Sequence, residues 1–105
     1  KRIEDLGHSV IVCRSLKNDL VSLPHMLKVL GKMEVTSALL EGGGELFSAF
    51  MKLKLIDRVV AFIAPIFLGG NGLDFLPNLP IRGMRDAIKI RGEVGIRRIG
   101  DNAVF

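Results

Sequence analysis

The chain contains no tryptophan and no tyrosine, and only one cysteine among 105 residues. Without Trp and Tyr, two of the aromatic platforms on which nucleic-acid bases stack are missing. The 15 basic residues are scattered. Arg97-Arg98 and Lys52/Lys54 come nearest to patches, so the net charge of +4 does not amount to a nucleic-acid stripe. It suits a small phosphorylated ligand instead. A lone cysteine excludes a disulfide within the chain and favours a reducing cytoplasm. Cys13 follows Val10-Ile11-Val12 and reads as a small buried hydrophobe, not a nucleophile. His8 and His25 have no partners at metal-ligand spacing, and the His-x-Glu…Pro-Cys-x-x-Cys pattern of zinc deaminases is missing. No apolar run approaches the roughly 18 residues of a membrane span. No basic–apolar leader is present, so neither a signal peptide nor a membrane location is expected.

What is present is strongly apolar: 49% of residues are hydrophobic. For a chain of this size that implies an apolar face covered by another segment or by a second copy, and a homodimer is expected. The elements alternate. Val10 to Cys13 is a short strand, and Ser15 to Leu20 a loop. Leu23, Met26, Leu27 and Leu30 recur at helical spacing, with Ser22 as cap, Pro24 in the first turn and Gly31 as the stop. Val35 to Leu40 is a second strand, apolar on both faces at its end. Gly44 to about Leu53 is a second helix with Leu46, Phe47, Phe50 and Met51 on its apolar face. Ile56 to Ala64 is expected to be the longest and most central strand, ended by Pro65. Gly69 to Gly72, Pro77 and Pro80 make a long irregular loop, which hints at a functional or packing role. Ala87–Arg91, Val94–Ile99 and Ala103–Phe105 alternate with glycine turns, as antiparallel strands do. The order predicts an α/β fold, a three-layer mixed sheet with flanking helices. Its first three strands would be parallel, and its tail antiparallel.

The candidate site is Leu39-Leu40-Glu41-Gly42-Gly43-Gly44-Glu45-Leu46. A strand that breaks through glycines into a helix leaves the first helical N–H groups without partners, and the dipole adds positive charge there. Glycine also lets a ligand approach the backbone closely. The stretch meets neither G-x-G-x-x-G nor the P-loop pattern, so a plain strand–helix connector is the competing reading. Glu41 has two readings at this point. It either accepts N–H bonds from the glycine turn or offers its oxygens to the N–H edge of a bound ring. Glu45 suits the dipole in the first turn, and Ser48 either donates to a phosphate or faces solvent. Asp57-Arg58 reads as a surface or interface ion pair.

Three segments together closely resemble one family: Leu39-Leu40-Glu41-Gly42-Gly43-Gly44-x-Leu46, Leu55-Ile56-Asp57-x-Val59 and Ile63-Ala64-Pro65-x-x-Leu68-Gly69. The family is the riboflavin-biosynthesis pyrimidine reductase domain, of dihydrofolate-reductase-like fold and often fused behind a zinc deaminase domain. The resemblance runs from about Val10 to the end, so residues 1–105 read as the C-terminal part of such a domain. Its N-terminal strands and any deaminase domain would precede Lys1. The resemblance implies NADPH-dependent reduction of 5-amino-6-(5-phosphoribosylamino)uracil, a phosphorylated pyrimidine substrate, to its ribitylamino form by the full-length protein, with the 105-residue fragment expected to be inactive alone. It places Gly43, Gly44, Glu45, Leu46, Phe47, Ser48 and Ala49 against the cofactor, chiefly its phosphates, and turns Glu41 to the pyrimidine. A non-catalytic nucleotide-binding or dimerisation module of α/β fold is the alternative. Two departures stand out. Where the family usually has glycine after each helix, this chain has Met33-Glu34-Val35 and Lys54-Leu55-Ile56-Asp57.

Overall fold

The computed structural model describes residues 2–16, 20–70 and 72–105. The expected loops 15–20 and 69–72 therefore lie partly outside the described residues. The chain divides into two compact units, Lys1–Leu40 and Glu41–Phe105.

The first unit carries one α-helix, α1 (Leu23–Lys32). Ser22 takes the N-cap position without a side-chain cap bond, and Pro24 sits in the first turn, where a missing N–H costs nothing. The helix runs through the expected stop at Gly31. It ends one residue later, at Lys32, in a Schellman motif: Glu34 N–H donates to Gly31 C=O at 3.1 Å and Val35 N–H to Leu30 C=O at 3.1 Å. That motif needs a left-handed residue, and Glu34 supplies it at φ 64°. Before the helix, Leu16 N–H donates to Leu20 C=O and Ser22 N–H to Arg14 C=O, with a bridge between Ser15 and Val21. A short 3-10 turn, Glu4–Leu6, precedes this segment.

The second unit carries α2 (Gly44–Lys52), β1 (Phe62–Ile63), β2 (Arg97–Ile99) and β3 (Asn102–Val104), with a 3-10 turn at Met84–Asp86. Helix α2 ends like α1. Lys54 N–H bonds Met51 C=O, Leu55 N–H bonds Phe50 C=O, and Lys54 stands at φ 54°. Strands β2 and β3 form a hairpin whose two-residue turn has Gly100 at φ 59° and Asp101 at ordinary φ, the type II′ pattern. The sheet order is β1-β3-β2 and both pairings are antiparallel. Phe50, Val104 and Ser48 are its buried residues.

The chain is thus a small α/β structure of two helices and a three-stranded antiparallel sheet. Four strand expectations differ from it. Val10–Cys13 and Val35–Leu40 form no ladder, and Ala87–Arg91 forms none. The run Val59–Ala64 contributes only the two residues of β1, at the sheet edge, while the last strand is central. A strand gains its hydrogen bonds from a neighbour, whereas apolar patterning records only a preference for burial. Among the described residues, Val10–Cys13, Val35–Leu40 and Ala87–Arg91 find no ladder partner, and the expected parallel pairs do not form. Regular pairing does stop before Pro65, as its missing donor requires.

Candidate functional site

The site is built at the N-terminus of α2. Gly43 is its N-cap, at φ −72° and ψ 169°, and no side chain caps the helix. Gly43 C=O accepts from Leu46 and Phe47 at 3.0 and 3.2 Å. The N–H groups of Gly44 and Glu45 lie at the first two helical positions, where the helix offers no acceptor. A Cβ added at Gly43 would meet nothing within 4 Å, so the approach to those donors is open.

The opposite flank is covered. A Cβ at Gly44 would lie 2.5 Å from Pro77 Cδ and 2.9 Å from the Phe75 carbonyl oxygen. The Phe47 and Phe75 rings pack at 5.7 Å between centroids, tilted by 34°. Ser48, only 2% exposed, donates its hydroxyl proton to the Pro77 carbonyl. The irregular loop after residue 72 therefore packs on the face of α2 that carries Gly44, Phe47 and Ser48. Phe75 and Pro77 were not foreseen as part of the site. The unusual length of their loop was the available signal.

The sequence-expected residues separate accordingly. Gly43, Glu45 and Leu46 are exposed; Gly44, Phe47 and Ala49 are half-buried. Ser48 faces neither solvent nor an open anion site. Glu41 is exposed, and its carboxylate takes part in no hydrogen bond or ion pair among the described residues. Of its two readings, acceptance from the glycine turn is not realised. Asp57 and Arg58 form no ion pair among the described residues; the pairs present are Arg2–Glu4 and Arg98–Asp101. Cys13 is half-buried and unpaired. No helix among the described residues is long and apolar enough to cross a membrane, and no three His, Cys, Asp or Glu residues there cluster as metal ligands.

The family described as RibD C-terminal domain matches residues 1–101.

The chain belongs to the RibD C-terminal domain family.

A riboflavin biosynthesis protein RibD of Actinobacillus pleuropneumoniae is 37% identical over 71 residues, 68% of this chain and 19% of that protein. Its namesake from Aquifex aeolicus is 28% identical over all 105 residues, 27% of its own length. The Mycobacterium tuberculosis RibD is 51% identical over a 35-residue stretch. The chain thus spans between about a fifth and a quarter of the length of the first two relatives. No solved structure gives a significant match. Glu34 and Lys54 are the two left-handed residues that close α1 and α2, and they lie in the two segments where the resemblance leads one to expect a glycine.

Proposed function

We propose that this RibD C-terminal domain chain supplies the dinucleotide-phosphate site of an NADPH-dependent reductase in riboflavin biosynthesis. The domain is of dihydrofolate-reductase-like fold. It reduces the ribosyl group of 5-amino-6-(5-phosphoribosylamino)uracil to a ribityl chain. Membership of the family and the names of the relatives support the pathway. The observation that carries the reading is the uncapped start of α2, with free N–H groups at Gly44 and Glu45 and open space over Gly43.

The residues fit a pyrophosphate. Two backbone donors lie at the start of the helix, and a Cβ added at Gly43 would meet nothing within 4 Å. A charge-assisted N–H···O bond contributes about 1.5–3 kcal/mol, so two of them reach the about 4 kcal/mol of a millimolar complex. The helix dipole adds about 0.3–1 kcal/mol. Glu45 opposes this with its own charge, but its side chain is exposed and water screens it. Leu46, Phe47 and Ala49 frame the turn, and Ser48 holds Pro77 against the helix. Ser48 is therefore a positioning residue. Glu41, without a hydrogen-bond or ion-pair partner among the described residues, orients the pyrimidine through its N–H edge. The nicotinamide supplies the hydride; the chain's contribution is placement, the main requirement of such a transfer. A cytoplasmic homodimer completes the proposal. β1 is a sheet edge whose Phe62 and Ile63 are 64% and 53% exposed, an unpartnered apolar margin.

Titrating NADPH into the 105-residue chain tests the reading. Binding at about millimolar Kd or tighter is expected, with loss in Gly43→Val while the helical circular dichroism is unchanged. No binding, or equal binding by the variant, overturns it.

A further inference from the structure

The first unit holds a contact that neither α1 nor the segment before it makes alone. That segment folds back on itself. Leu16 N–H donates to Leu20 C=O at 2.7 Å, Ser22 N–H donates to Arg14 C=O at 2.9 Å, and Ser15 bridges to Val21. Arg14 N–H then crosses to the first turn of α1, where it donates to His25 Nδ1 at 3.1 Å. Arg14 thus closes the loop with its carbonyl and ties that loop to the helix with its N–H.

A backbone N–H can only donate, so Nδ1 carries a lone pair and the imidazole holds its proton on Nε2. A charged imidazole has a proton on both nitrogens and nothing left to accept with. Imidazoles change charge between about pH 5 and pH 8, so acid can break this bond while the backbone bonds around it stand. The sign follows from the lone pair: the bond is present while the ring is neutral and is lost as pH falls. Position acts in the same direction. His25 stands third in α1, at the positive end of the helix dipole, and Lys28 follows three residues later on the same face. Among the described residues, Arg14, Lys28 and Lys32 are the charged groups that line the α1 cleft beside the ring. Residues 17–19 lie outside the described residues, and loss of the lone pair does not depend on their charge.

We propose that the Arg14–His25 contact is a pH-sensitive clasp. Neutral imidazole holds the loop that Arg14 and Ser22 close against the first turn of α1, and protonation of Nδ1 by solvent releases it and opens the α1 cleft. The device is independent of the pyrophosphate site assigned to α2.

The test follows the full chain by heteronuclear NMR from about pH 8 to about pH 5. The Arg14 amide and the His25 ring signals are expected to trace one titration curve. Protection of the Arg14 amide from hydrogen exchange, corrected for the intrinsic pH dependence of exchange, should fall about fivefold as the ring charges. The Val35 amide, bonded within the cap of α1, should keep its protection and so separates release of the clasp from unfolding of the unit. His25→Gln should abolish the pH response of the Arg14 amide. Arg14→Gln should keep it, because the donor is the backbone, and His8→Gln should leave it unchanged. Four results would overturn the proposal: an Arg14 amide that does not follow the ring, a response that survives in His25→Gln, a response lost in Arg14→Gln or His8→Gln, or protection lost at Val35 together with Arg14.

Discussion

Glu34→Gly is expected to stabilise the α1 unit by about 1 kcal/mol, and Lys54→Gly the α2 unit by about half as much. Both residues occupy the left-handed C′ position of a Schellman motif, at φ 64° and 54°. A residue with a Cβ pays about 1–2 kcal/mol to stand there. Glycine removes that strain but brings about 0.4–1 kcal/mol of extra disorder to the unfolded chain. Relief therefore exceeds the loss at both sites. Charge then separates them. Glu34 sits at the negative end of α1, so removing it gains some of the about 0.3–1 kcal/mol of dipole interaction. Lys54 sits favourably at the same end of α2, so removing it gives up a similar amount. Both side chains are exposed, which keeps the charge effect at the low end of that range. Urea unfolding followed at 222 nm measures the outcome. With a slope of about 1 kcal/mol per molar, the midpoint should rise by about 1 M for Glu34→Gly and about 0.5 M for Lys54→Gly. Each cap closes a helix of its own unit, so the double variant should approach the sum. An unchanged or lowered midpoint for Glu34→Gly would refute the strain argument. Lys54→Gly gaining more than Glu34→Gly would refute the charge argument alone.

Gly44→Ala should cost about 1–3 kcal/mol in the same assay, because its Cβ would overlap Pro77 Cδ and the Phe75 carbonyl and force the covering loop to shift. Gly43→Ala should stay within a few tenths, since its φ is ordinary and its surroundings are open; equal costs for the two would show that the loop does not pack as described. Light scattering of the chain should give a dimer mass, driven by the exposed β1 margin. A monomeric mass would count against that.

What could be read in the sequence divides by the reach of the interactions involved. Leu23–Leu30 and Gly44–Leu53 were expected as helices, and α1 and α2 lie at Leu23–Lys32 and Gly44–Lys52. A helix forms its hydrogen bonds within its own segment, so spacing and caps suffice to find it. The β2–β3 hairpin is equally local, closed by Gly100-Asp101. The run Val59–Ala64 has the composition of a central strand, but centrality depends on neighbours far away in sequence, and here β3 holds that place. The site shows the same division. The uncapped glycine turn is a local matter of N–H groups and missing Cβ atoms, and it was found. Its cover is not local: the Ser48–Pro77 bond spans 29 residues, and nothing around Ser48 announces it. The α1 cleft is intermediate. His25, Lys28 and Lys32 form a visible stripe, which by itself describes a solvated helix face. The bond from the Arg14 N–H to His25 Nδ1, across 11 residues, brings Arg14 to that stripe. Functional meaning in this chain therefore enters with the non-local contact, and variants that break such a contact without touching the helix beneath it will be the most informative.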